Sequence, residues 1–176
     1  HFLPAKFAAM YWRDRSKAGD QPAGRIINTS SGAGLMGSVA QSAYSAAKGA
    51  IASMTLVQAA ELGRYGVTAN AIAPAARTRM TEAAFADMMA KPEDGAFDEM
   101  DPSNVAPLVA WLGSTESQAV TGRVFEVDAV KIPVAEGWRH GPMRDKGARW
   151  DPAELGPVIA NLLTKTKTPT PIYDTQ

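Results

Sequence analysis

The sequence predicts an α/β fold: a doubly wound parallel sheet, Rossmann-like in plan, without its N-terminal strands. Three observations predict it. Three short runs rich in β-formers, RIINTS (25–30), VTANAIAP (67–74) and GRVFEVD (122–128), each have strand length. The stretches between them are far too long for hairpins, and one carries an unbroken helical pattern. The first two runs end in small and polar turn residues, as strands do at the carboxyl edge of a parallel sheet. Strand, helix, strand, helix, strand implies parallel pairing with right-handed crossovers.

The elements follow in order. In FLPAKFAAMYWRDR, Phe2, Leu3, Phe7, Met10 and Tyr11 recur at helical steps. The helix begins at His1 without a cap, so a chain continuing upstream is expected. The loop KAGDQPAG closes it and strand 25–30 follows. Residues 40–64 predict a long helix stopped at Tyr65-Gly66. Strand 67–74 ends at Pro74, and a mobile stretch rich in Met and Phe comes next. Asp101-Pro102 opens a helix to about Leu112, with proline at the first helical position. In the tail, Asp151, Pro152 and Glu154 predict a capping box for a helix near 151–164. The closing KTKTPTPIYDTQ is expected to be extended or frayed. Residues 1–131 thus read as part of one α/β domain, and 132–176 as a C-terminal extension.

Composition narrows the function classes. The chain of 176 residues is 45% hydrophobic and 20% charged, the mix of a globular domain. Its formal net charge is zero, so no nucleic-acid partner is expected. It has no cysteine, which fits a cytoplasmic setting, and no apolar run of membrane-spanning length. Two histidines far apart predict no metal site. His140, in WRHGP, reads as a loop residue.

The chemistry centres on Tyr44 and Lys48. Four residues apart on a helix, they share a face. A free phenol ionises near pH ~10, and a neighbouring ammonium favours the phenolate. The pairing suits a phenol that gives and takes a proton near neutrality. Ser31 lies thirteen positions upstream, in the turn SSGAG after the first strand. The second strand ends at Pro74-Ala75-Ala76-Arg77-Thr78, on the same edge. A hydroxyl there could hold a substrate carbonyl while the phenol protonates it.

GRIINTSSGAG, the Tyr44-Ser-Ala-Ala-Lys48 motif, NAIAPAARTRM and TGRVFEVD together resemble the short-chain dehydrogenase/reductase family over residues 1–131. The resemblance implies hydride transfer between NAD or NADP and a secondary alcohol or ketone. It implies that Ser31 positions the substrate oxygen, Tyr44 is the general acid/base, and Lys48 tunes Tyr44 and binds the nicotinamide ribose. It places Tyr44, Lys48, Pro74, Ala75, Arg77 and Thr78 at the cofactor. It also implies a homodimer or homotetramer, because family members pair the long helix and the preceding one. The apolar residues on more than one face of 40–64 agree: Ala43, Ala47, Ile51 and Met54 on one side, Ala50, Val57 and Leu62 on others.

Three departures stand out. The family's Gly-rich phosphate loop is absent, since GAGLMG (32–37) follows the wrong strand. The family's active-site asparagine is absent too. The usual Pro-Gly reads Pro74-Ala75, and a Gly-Gly after the last strand reads Ala129-Val130. Alanine resists positive φ, so both turns are expected to be rearranged.

Other readings compete. Ser45-x-x-Lys48 has the serine–lysine spacing of penicillin-binding proteins, but their Ser-Asp-Asn and Lys-Thr-Gly partners are lacking. A non-catalytic binding or assembly module, or an inactive fragment, is the alternative to an enzyme. Met80, Met88, Met89, Met100, Phe85 and Phe97 suit an irregular apolar ligand. The tail is similar to that of actinobacterial members and of hydroxyacyl-CoA or steroid dehydrogenases. Together these favour a steroid or a 3-hydroxyacyl thioester over a sugar.

Overall fold

The structure, a computed structural model, describes residues 1–93 and 95–172. It forms two compact units, His1–Glu136 with Ile172, and Gly137–Pro171. In the first, α1 (Phe2–Lys17), β1 (Arg25–Thr29), α2 (Gly32–Met36), α3 (Ser42–Leu62), β2 (Thr68–Ala75), α4 (Arg79–Ala84), α5 (Ala106–Gly113), β3 (Val124–Asp128) and β4 (Val134–Ala135) follow in order. The second holds α6 (Pro152–Leu163). The expected end of the tail, residues 173–176, lies outside the described residues.

The sheet order is β1-β2-β3-β4. β1 pairs parallel with β2, and β2 with β3, so their carboxyl ends share one edge. β4 is antiparallel to β3. At two residues it is too short to leave a periodic signal. Alternate residues of the strands feed two cores, as a pleated sheet requires. Ala5, Ile26, Ala59, Leu62, Val67 and Ala69 form one under α1 and α3. Ile72, Leu108, Leu112 and Val127 form the other under α5.

The sequence left open which helix faces pack on the sheet. In α1 the predicted apolar stripe faces outward: Phe2, Leu3, Phe7, Met10 and Tyr11 are exposed. The helix instead turns Ala5 to the core, with Ala9 and Trp12 partly buried against the same cluster. Likewise α3 buries Thr55, Ala59 and Leu62, not the side bearing Ala43 and Ala47. Leu56 and Val57 are left half exposed. The helix expected from 102 begins as a 3-10 turn, Pro102–Val105, before α5. Pro107 has no N–H to donate to the Ser103 carbonyl, so an α-helical ladder cannot run through it. Asp101 caps that turn, and hydrogen bonds from the Ser103 side chain and N–H hold its carboxyl below the usual range. The capping box of Asp151 and Glu154 on α6 is present as expected.

The two alanine turns were expected to be rearranged, and they are not alike. Ala75 simply ends β2. Ala129 keeps the left-handed conformation, φ +53°, without glycine. That geometry costs an L-residue about 1–2 kcal/mol. Ala129→Val, which adds β-branching there, is expected to destabilise the full-length protein by about 1–2 kcal/mol in urea. Ala129→Gly should stay within about 1 kcal/mol of the parent, because relief of strain is offset by added chain entropy.

Candidate active site

The carboxyl edge of the sheet carries Ser30 and Ser31 just past β1, and Lys48 of α3 is bonded back to it. Ser30, one residue past β1, is buried and doubly anchored. Its N–H donates to the Ile72 carbonyl at 2.8 Å, and its Oγ donates to the Lys48 carbonyl at 2.8 Å. The first bond fixes β1 against β2, and the second fixes it against α3. Ser31 follows as the N-cap of α2, its Oγ accepting from the Ala33 N–H at 3.2 Å. Accepting there leaves the Ser31 hydroxyl proton available to donate elsewhere.

Lys48 reaches back along the same edge. Its Nζ donates to the Thr29 carbonyl at 3.0 Å and lies 5.7 Å from the centroid of the Tyr44 ring. Among the described residues one of its three donors is used and two remain. Tyr44 is 46% exposed, so its hydroxyl can meet a ligand. Ser45, by contrast, has a buried Oγ without a hydrogen-bond partner among the described residues, while Lys48 points to Thr29. The serine–lysine reading therefore has no geometry behind it.

The second turn behaves less uniformly. Pro74 and Ala75 stand opposite Val127 and Asp128 at the end of the sheet. Thr78 is the N-cap of α4 in a reciprocal box with Thr81. Arg77, placed at the cofactor by resemblance, turns inward and is 6% exposed. It forms an ion pair with Asp98 and donates to the carbonyls of Met89 and Ala90. His140 is exposed in the second unit.

Polar groups that the sequence reading passed over hold this edge in place. Asn28 Nδ2 donates to Thr55 Oγ1 and Gln58 Oε1, both at 2.9 Å, locking β1 to α3 about two turns beyond Lys48. Asn70 Nδ2 donates to the Val120 carbonyl at 2.8 Å, and Asn70 Oδ1 accepts from the Arg123 N–H at 3.1 Å. An asparagine within an otherwise apolar strand was the available signal, because a buried amide needs partners. GAGLMG forms α2 and is no phosphate cradle. A Cβ on Gly34 would stand 2.5 Å from the Lys48 carbonyl carbon. Close helix packing, not ligand approach, requires that glycine.

A Rossmann-like parallel sheet with serine, tyrosine and lysine gathered at its carboxyl edge defines a class, and comparison gives the family. Residues 8–129 match the family model described as "Enoyl-(Acyl carrier protein) reductase". The chain is 44% identical over 160 residues to hydroxyacyl-CoA dehydrogenase ChsB1 of Mycobacterium tuberculosis, covering 88% of this chain and 50% of that protein. It is 62% identical to a short chain dehydrogenase from Mycobacterium avium of known crystal structure, with TM-score 0.86, covering 99% of this chain and 57% of that one. A 4-hydroxyisoleucine dehydrogenase complexed with NADH is 25% identical at TM-score 0.58, covering 73% and 52%. The chain belongs to the short-chain dehydrogenase/reductase family. It spans about half the length of the curated relative it matches at 44%.

Proposed function

We propose that the whole protein is an NAD- or NADP-dependent oxidoreductase acting on a secondary alcohol or ketone, with a 3-hydroxyacyl thioester or a steroid as its substrate class. The observation that carries this is Lys48, which joins the Tyr44 ring to the Thr29 carbonyl beside Ser31. Residues 1–131 act as the C-terminal part of the dehydrogenase domain, and 132–176 as an extension.

The nicotinamide cofactor supplies or accepts the hydride. The chain's own residues do the rest. Ser31 Oγ donates its free proton to the substrate oxygen and fixes that oxygen beside Tyr44. Tyr44 Oη gives its proton to the same oxygen in reduction and takes it back in oxidation. Lys48 keeps a positive charge beside the ring, and its two unused donors suit ribose hydroxyls. Pro74, Ala75 and Thr78 line the nicotinamide end. The donor set fits that end of a dinucleotide. Among the described residues no Gly-rich turn opens a helix of useful length for the phosphates.

Substrate class rests on two supports. The 44%-identical relative is named a hydroxyacyl-CoA dehydrogenase. The segment after β2 shows apolar side chains to solvent: Met80, Phe85, Met88 and Phe97 are all exposed, and only Met89 is buried. They are therefore available to a ligand rather than spent on the core. The outward apolar faces of α1 and α3 support a homodimer or homotetramer. No helix among the described residues is long and apolar enough to cross a membrane, and with the lack of cysteine this supports a cytoplasmic enzyme.

Steady-state assay of the full-length protein with NAD and NADP against 3-hydroxyacyl-CoAs, hydroxysteroids and sugars tests the reading. Turnover of an acyl-CoA or steroid alcohol is expected. A preference for small polar sugars removes the substrate class. No nicotinamide-dependent turnover at all favours the non-catalytic module.

A further inference from the structure

We propose that Arg77 is a positioning residue for substrate: it fixes the apolar segment beyond β2 to the edge of the sheet, and so helps set specificity for bulky substrates. The inference rests on the dehydrogenase reading above. It departs from the placement of Arg77 at the cofactor.

Arg77 lies two residues past the end of β2 and three past Pro74, yet it is 6% exposed. A guanidinium taken out of water needs its donors satisfied. Here they are spent on the following segment. Nη1 donates to the Met89 carbonyl at 3.0 Å and the Ala90 carbonyl at 3.3 Å. Nη2 pairs with Asp98, and Nε lies 3.9 Å from Glu82 Oε1. The Arg77 N–H donates to the Met100 carbonyl at 2.7 Å. One residue thereby holds points from Glu82 to Met100.

The far side of the clamp is itself braced. Asp98 Oδ1 accepts from the Met100 N–H at 3.1 Å. Asn104 Nδ2 donates to the carbonyls of Asp98 and Glu99 at 2.9 and 3.0 Å. Phe85, Met88 and Phe97 have no comparable burial, with 40%, 64% and 58% of their surfaces exposed. The segment is thus anchored by a buried charge and presents apolar side chains outward. A core-filling loop would do the reverse. An anchor of this kind fixes where an apolar surface stands while leaving that surface free for a ligand. Because the anchor springs from the turn after Pro74, that position is referred to the carboxyl edge of the sheet.

The test uses the full-length protein with Asp98→Asn, Arg77→Lys and Arg77→Ala. Asp98 is only partly buried and asparagine matches its shape, so this variant keeps the test open if Arg77→Ala fails to fold. Lysine keeps the charge but cannot span Asp98 and two carbonyls. In Asp98→Asn, amide hydrogen exchange at residues 85–90 and 96–100 should quicken tenfold or more. KM for a 3-hydroxyacyl-CoA or hydroxysteroid should rise at least tenfold with kcat within threefold. The Kd of NADH and NADPH, read by fluorescence, should stay within twofold. Arg77→Lys should behave the same way. Unchanged exchange, or faster exchange with unchanged KM, overturns the proposal. A tenfold weaker cofactor Kd with normal KM returns Arg77 to the cofactor site and also overturns it. A wild-type protein with no nicotinamide-dependent turnover defeats instead the dehydrogenase reading on which the proposal stands.

Discussion

Replacing Tyr44 by phenylalanine in the full-length protein is expected to lower kcat by ~10²–10⁴, the usual loss when a positioned acid–base group is removed. The substitution deletes one oxygen and keeps the ring. Tyr44 is 46% exposed, and its hydroxyl makes no hydrogen bond to the described residues, so nothing is left stranded when it goes. Stability should therefore change by no more than about 0.5 kcal/mol, as for other surface changes. The contact between Lys48 and the ring face, 5.7 Å to the centroid, survives. The hydrogen bond from Lys48 to Thr29 survives too, so cofactor affinity should hold. Initial rates at saturating substrate, with cofactor Kd measured alongside, separate the chemistry from binding. A Tyr44→Phe enzyme with near-normal kcat would remove Tyr44 from the reaction and the acid–base assignment with it.

The Tyr44–Lys48 pairing on which that proposal rests was legible in the sequence because its signal is local. Tyr44 and Lys48 lie one helical turn apart, and the long apolar helix that carries them admits no other secondary structure. The three parallel strands were legible for the same reason: Ile26-Ile27, VTANAIA and VFEV are strand-forming runs with helical stretches between them. What stayed hidden depends on partners distant in sequence. Nothing in GAGLMG signals a five-residue helix, because glycine disfavours helix, and α2 exists through the Ser31 cap and its contact with α3. The core-facing side of α1 was not legible, because apolar residues lie on more than one side of it. Ala5, Ala9 and Trp12 pack on the core, while Phe2, Leu3, Phe7, Met10 and Tyr11 stay out. The role of Arg77 could not be read from PAARTRM at all. Its acceptors are backbone carbonyls twelve and thirteen residues away and a carboxylate twenty-one away. Local pattern picks out the proposed reacting groups, while the contacts that hold this edge in place come from long-range hydrogen bonds.

Gly34→Ala is the second change with a large expected effect, and it probes those long-range contacts directly. Intrinsic helix propensity favours alanine over glycine by about 1 kcal/mol, so on a free helix the substitution would stabilise. Sterics oppose it here. The new Cβ would stand 2.5 Å from the Lys48 carbonyl carbon and 2.6 Å from the Gly49 nitrogen. Both are backbone atoms within α3 and cannot rotate aside. The interface is tight from the other side as well, since a Cβ on Gly49 would meet the Gly34 carbonyl oxygen at 3.1 Å. Relief requires α2 to move off α3, and Ser31 caps α2 while Ser30 is bonded to the Lys48 carbonyl. The movement therefore pulls Ser31 away from Tyr44 and Lys48. We expect a net loss of about 1–3 kcal/mol from overpacking, read from the urea midpoint of the full-length protein. We also expect kcat to fall by about 10²-fold, the scale of an ~1 Å misplacement of a reacting group. Gly63→Ala is the control: it has open space around it and an ordinary helical φ of −53°, so it should be neutral or stabilise by about 0.4–1 kcal/mol. If Gly34→Ala matches the parent in both stability and rate, the close approach of α2 and α3 does not set the geometry of the serine, tyrosine and lysine.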